Sequence, residues 1–324
     1  MVWLVLVAGL ALVTLGAELL VRGGTALAFR LGVPPLFIGL TVVGFGTSTP
    51  ELSASVVATL DGSSEVSIGN VVGSNIFNIA VILAVAAIVM PIRVRIAELH
   101  RELVVMTLVA LVPFAAWMTG GVVPGWMGGV LLGLLVVYLG DAIVRARRAG
   151  AEDRAQMAGE LAQAEPVVAG GAGRSVWLSL ALIVGGLGAL ILGGSLFVRS
   201  ATSIAGAWGV PEVIIGLTIV AAGTSLPELA TSVVAALRGS SDVAVGNVVG
   251  SNIFNVLGIL GIAALVGPQS VPRQVLVFDA PVMLAVSLAA WWMLRTGETL
   301  TRREGLVLLG VFGAYLATLV VLAR

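Results

Sequence analysis

Apolar residues run along this chain in blocks much longer than a soluble core requires, separated by short stretches that carry most of the charge. The blocks cover residues 2–21, 33–60, 66–90, 102–119, 125–144, 176–197, 210–237, 243–266, 275–294 and 304–323. A bilayer core takes about 20 apolar residues per helix. Backbone groups in lipid must find partners within their own segment, so helices are the reading of such runs. The expected fold is an all-α membrane protein with ten transmembrane helices. The opening block, MVWLVLVAGL, has no basic stretch before it and reads as a retained first span.

Composition agrees with that pattern. Of 324 residues, 59% are hydrophobic and 10% charged, where a soluble domain carries about 25% charged residues. Lipid must surround most of the surface. No basic cluster with interleaved aromatics is present, which excludes nucleic acid as a partner. Cysteine is absent and His100 is the single histidine, so thiolate chemistry and histidine-built zinc sites are excluded.

Charge then orients the chain. All 17 basic residues are arginine. With the N-terminus outside, the inner loops hold 14 of them, and Arg199, Arg273 and Arg324 remain outside. That bias predicts both termini outside and residues 145–175, the one long polar stretch, as a cytoplasmic linker. Glu18 with Arg22, and Asp141 with Arg145, are spaced as interfacial ion pairs. Glu98, His100 and Glu102 are expected in a solvated loop, Asp279 near an outer helix start, and Trp117, Trp126, Trp291 and Trp292 in an aromatic belt.

The chain also repeats itself at an offset of 177 residues. The 40 residues from Gly39 (39–78) and the 40 from Gly216 (216–255) are identical at 29 positions without a gap. An odd number of spans, five, separates equivalent points, so the second copy should enter the membrane in the opposite sense. The predicted organisation is a first five-helix repeat (1–144), the linker (145–175) and a second five-helix repeat (176–324). Inverted repeats of this kind underlie many secondary transporters.

Each copy carries GTSxPE inside an apolar block, as Gly46-Thr47-Ser48-Thr49-Pro50-Glu51 and Gly223-Thr224-Ser225-Leu226-Pro227-Glu228. Proline removes a helical hydrogen bond and obstructs a carbonyl, so both helices should break near mid-membrane. Backbone freed at that depth must line a cavity or bind something. A carboxylate there costs at least about 3 kcal/mol on insertion scales, and two of them in matched places point to a shared cation. The next block of each copy carries Asn70, Ser74 and Asn78, or Asn247, Ser251 and Asn255, each set four apart on one helix face. Asn70, Asn75, Asn247 and Asn252, flanked by glycines, suit helix packing as readily as ligation. Hydroxyl, amide, carboxylate and carbonyl oxygens form a hard ligand set that suits calcium or sodium, and a flexible site disfavours magnesium.

GTSxPE followed by GNVVGSNIFN, twice, resembles the alpha repeats of sodium/calcium exchangers in the cation/calcium antiporter superfamily. A prokaryotic member of that family is implied. The resemblance implies a secondary antiporter of the plasma membrane, not an enzyme, exchanging sodium for calcium by alternating access. It implies no cofactor and no obligate protein partner; the partners are the transported ions and the bilayer. It further implies that Glu51 and Glu228 ligate both ions, with Thr47, Ser48, Thr224 and Ser225 supplying hydroxyl and carbonyl oxygens. Ser74 and Ser251 would complete flanking sodium sites, Asn78 and Asn255 would face the centre, and the carbonyls of Gly44 and Ala221 would be further ligands. Potassium-dependent relatives carry Asp where this chain has Asn255, and proton-coupled ones usually carry a histidine after the glutamate, where Leu52 and Leu229 stand here. Those exchange modes remain the alternatives, and a cation channel is the alternative of another class. One calcium or about two sodium ions would neutralise two carboxylates, and a third sodium would make exchange sensitive to membrane potential.

Overall fold

The computed structural model describes residues 2–149, 175–209 and 221–322. Most of the expected linker, from 150 to 174, and the start of the seventh expected span, from 210 to 220, lie outside the described residues. The described chain is almost wholly helical: α1 (Val2–Leu31), α2 (Pro35–Thr47), α3 (Thr49–Leu60), α4 (Ser64–Val89), α5 (Ile96–Thr119), α6 (Gly125–Ala149), α7 (Val176–Ala207), α8 (Ala221–Thr224), α9 (Leu226–Leu237), α10 (Ser241–Val266), α11 (Val275–Gly297) and α12 (Arg302–Leu322). Among the described residues, eight helices are long and apolar enough to cross a membrane: α1, α4, α5, α6, α7, α10, α11 and α12.

The blocks 33–60 and 210–237 are not single helices. The first is split at Ser48 (φ −81°, ψ 11°) and the second at Ser225 (φ −90°, ψ 11°), each two residues before a proline. The proline lacks the N–H that a continuous helix would require, and it sits comfortably in the first turn of the helix that restarts after it.

α4 and α10 are the most buried spans and form the centre of the bundle. α1 and α7 lie along one side, antiparallel and in close contact. A methyl group on Gly16 would sit 2.7 Å from the Leu190 nitrogen, and one on Gly193 would sit 2.7 Å from the Val13 nitrogen. Only hydrogen fits at these crossings, the usual way for helices in lipid to gain dispersion contact. Two short antiparallel strand pairs tie the ends of the bundle: β1 (Ile92–Arg93) with β4 (Thr299–Leu300), and β2 (Val122–Val123) with β3 (Gln269–Ser270).

Several helices contain a wider turn. α2 does so at Gly39–Val43, α4 at Asn78–Leu83, α10 at Asn255–Ile259 and α11 at Val275–Asp279. Such turns are frequent at functional sites. Those of α4 and α10 begin at repeat-equivalent asparagines.

One charge cluster differs from the sequence expectation. Glu98, His100 and Glu102 are on helix α5, not in a loop, and Glu102 is only 3% exposed. It is buried because its partners are complete: Tyr138 donates to it at 2.7 Å and Arg145 at 2.8 Å. Arg145 also meets Asp141 at 2.8 Å, as its spacing predicts, and Asp141 additionally pairs with Arg101. Glu18 pairs with Arg22 and also with Arg238 at 2.8 Å, which joins α1 to the end of α9. Removing one partner of a buried pair strands the other charge, typically at 3–5 kcal/mol. Arg145→Leu is therefore expected to lower the melting temperature of the detergent-solubilised protein well below that of Arg101→Leu, whose partner is half exposed. Fluorescence-monitored thermal unfolding of the two variants side by side checks this.

Candidate functional site

The two helix breaks meet at the centre of the bundle. Glu51 lies in the first turn of α3 and Glu228 in the first turn of α9, where each carboxylate faces the positive end of its helix. Each is about 1% exposed. The hydroxyls beside the breaks cross between the halves: Ser48 donates to Glu228 at 2.9 Å, and Ser225 donates to Glu51 at 2.9 Å. Thr47 also faces the Glu228 carboxyl and Thr224 the Glu51 carboxyl, and the two carboxyls are close enough to feel each other's charge.

Four carboxyl and amide oxygens at the centre have no hydrogen-bond partner. Glu51 Oε2, Glu228 Oε2, Asn78 Oδ1 and Asn255 Oδ1 are the buried carboxyl and amide oxygens left unpaired among the described residues. They belong to neighbouring elements, since the wide turn at Asn255 packs on α3 and that at Asn78 packs on α9. Unpaired buried acceptors cost free energy, and four of them on contacting elements call for a ligand that accepts lone pairs. A hard cation is such a ligand; a second acceptor group is not. Among the described residues no three acidic or histidine side chains cluster, so charge at this site comes from two carboxyls and the rest from neutral oxygens.

Amides hold the broken helices in place. Asn70 donates to the Glu51 carbonyl at 3.2 Å and to Ser55 at 2.9 Å, while Asn247 donates to the Glu228 carbonyl at 3.1 Å and to Ser232 at 2.9 Å. The Thr47 hydroxyl lies 3.1 Å from Asn247 Oδ1 and 3.3 Å from the Gly44 carbonyl oxygen. That carbonyl also accepts from Ser251 at 3.1 Å and from the Ser48 amide at 3.2 Å. The structure thus brings together Gly44, Thr47, Ser48, Glu51, Ser225, Glu228 and Ser251, with Thr224 beside them. Ser74 is buried in α4 on the face shared with Asn78. Ala221 starts α8, directly after residues outside the described set. Ser55 and Ser232 were not singled out from sequence, although each follows its glutamate by four residues in both copies.

A cavity of about 270 Å³ is lined by Pro50, Ser195, Arg199, Thr224 and Pro227. On the matched side Thr47 is fully buried.

Comparison with known proteins decides the family. The sodium/calcium exchanger protein family matches residues 1–144 and 178–321. This chain belongs to that family. Its relatives include the sodium/calcium exchanger MaX1 of Methanosarcina acetivorans, 33% identical over 98% of each chain. The putative antiporter CaxA of Alkalimonas amylolytica is 34% identical over 95% of each. The solved structure of the sodium-calcium exchanger NCX_Mj, soaked with 2.5 mM Na+ and 0.1 mM Ca2+, superposes with a TM-score of 0.80 at 31% identity, covering 97% of this chain and 96% of that one. As a member of this exchanger family the chain is a multi-pass membrane transporter and not an enzyme.

Proposed function

We propose that this chain exchanges sodium for calcium by alternating access, with Glu51 and Glu228 jointly holding the ion. The observation that carries the proposal is the set of four unpaired oxygens, two from each half, with cross-half serine bonds to both carboxyls. Thr47, Ser48, Thr224, Ser225, Ser74, Ser251, Asn78, Asn255 and the carbonyls of Gly44 and Ala221 complete the oxygen set. Two carboxylates match one divalent calcium, and the surrounding neutral oxygens suit sodium equally.

The reading includes ten spans in two inverted halves, 1–144 and 176–324, joined by a cytoplasmic linker. Several contacts support it. α1 and α7 are repeat-equivalent and antiparallel, with Gly9 facing Gly193 and Gly16 facing Gly186. β1 pairs with β4 and β2 with β3, which requires an even number of spans between each pair. The ion pairs Arg238–Glu18 and Arg145–Glu102 join positions that the arginine bias puts on the cytoplasmic side of the plasma membrane.

The test is calcium uptake by vesicles containing the purified protein under an outward sodium gradient, with potassium and pH varied independently. Uptake should follow the sodium gradient. Uptake that ignores sodium and follows pH would replace sodium with protons, and a potassium requirement would mean potassium co-transport. Calcium current that persists without any counter-ion would mean a channel.

A further inference from the structure

We infer that Asn75 and Asn252 are positioning residues that turn the amide oxygens of Asn255 and Asn78 toward the ion. Each acts on the opposite half. The inference rests on the cation site proposed above and adds the device that fixes two of its ligands.

An amide side chain can present either oxygen or nitrogen to a cation, and only the oxygen is a ligand. The hydrogen-bond network fixes which atom is which. Here backbone carbonyls, which can only accept, settle the matter. The Asn252 carbonyl oxygen lies 3.2 Å from one side-chain atom of Asn75, which must be Nδ2. The other atom of Asn75 is then Oδ1, and it faces Asn255 at 2.9 Å, so the facing atom of Asn255 is its Nδ2. The Asn255 oxygen therefore turns the opposite way, where it has no partner.

The same logic runs in the other direction. Asn252 Nδ2 approaches the Asn75 carbonyl oxygen at 3.4 Å and the Met106 sulfur at 3.7 Å. Asn252 Oδ1 then receives Asn78 Nδ2 at 2.9 Å, and Asn78 Oδ1 is left unpaired. All four asparagines are at most 2% exposed, so water does not compete for these bonds.

Asn75 and Asn252 thus occupy their own hydrogen-bonding capacity on each other's backbone and on the ligand amides. The nitrogen of each ligand amide is engaged by an oxygen of the opposite half, so each ligand of one half is oriented by the other half. The central oxygens are aligned only when α4 and α10 are in register. Groups that orient metal ligands without touching the metal typically change affinity by about 10–100-fold when removed.

The crosswise pattern is the test. Calcium binding to the purified full-length protein is measured for Asn75→Leu, Asn255→Leu, Asn78→Leu and the double variants. Asn75→Leu should weaken calcium binding about tenfold or more. Combined with Asn255→Leu it should add little further loss, because both changes remove the same oxygen; combined with Asn78→Leu the losses should multiply. The mirror pattern is expected for Asn252, non-additive with Asn78 and additive with Asn255. Asn75→Ser and Asn252→Ser serve the same cycles if the leucine variants do not assemble. Additivity in both pairings would overturn the inference and leave these asparagines as packing residues. Absence of calcium binding by the unmodified protein would instead overturn the cation site itself.

Discussion

Glu51→Gln and Glu228→Gln are each expected to reduce sodium-driven calcium uptake by about a hundredfold, and the double change to abolish it. Each substitution keeps the shape of the side chain and removes one charge. At an effective dielectric of about 20, a unit charge 4 Å from another contributes about 4 kcal/mol, and loss of about 3 kcal/mol already corresponds to a factor of about 100. Both residues are almost wholly buried, so solvent and salt screen little of this. The two losses should be similar, because the serine contacts of the two carboxyls are of equal length. Initial rates of calcium-45 uptake, normalised to reconstituted protein, are the measurement. A variant that retains uptake within a factor of a few would show that its carboxyl is not a ligand. Folding should be preserved in both, since a neutral amide at these depths is easier to bury than a carboxylate.

The second large effect concerns packing. Gly250→Val is expected to destabilise the protein by at least about 1–3 kcal/mol, the usual range for overfilling a packed core, and to impair calcium binding as well. A methyl group at Gly250 would lie 2.2 Å from the Leu40 carbonyl oxygen and 2.6 Å from its Cα. These are backbone atoms of α2 and cannot swing aside. The whole of α2 must shift off α10, and with it Gly44, Thr47 and the start of the break that positions Glu51. Gly129→Ala in α6 is the contrast. Among the described residues nothing lies within 4 Å of its added methyl, so the change should be neutral or slightly stabilising, as alanine suits a helix better than glycine. Thermal unfolding with and without calcium separates the two variants. Equal melting temperatures would show that α2 does not press on α10 at Gly250.

Much of this arrangement is legible in the chain because the duplication marks it. GTSxPE locates the helix breaks, since proline two residues after a serine leaves little choice about where a helix must restart. The matched glutamates stand out because a charge in an apolar block is costly. The wider turns at Asn78 and Asn255 are less visible, since no residue type signals an extra residue per turn. The role of Asn75 and Asn252 is invisible in one dimension. Glycine-flanked asparagines read as packing residues, and only their bonds across the halves separate them from ordinary helix contacts.

The burial of Glu102 is hidden in the sequence for a related reason. Its partners, Tyr138 and Arg145, are on the next helix, so its charge looked solvated. A clue did exist: the repeat offset places Glu102 opposite Asp279 and Tyr138 opposite Tyr315, and Tyr315 donates to Asp279 at 3.1 Å just as Tyr138 does to Glu102. The repeat therefore extends to an acid–tyrosine bond in each half, beyond the segments of obvious identity.

Equilibrium calcium binding to the purified protein, titrated with sodium, tests most directly whether two inward-facing acids share one ion site. Sodium should displace calcium with a slope steeper than one, and Glu51→Gln and Glu228→Gln should each lose most of the binding. Calcium bound with unchanged affinity in both variants, or indifferent to sodium, would contradict the account.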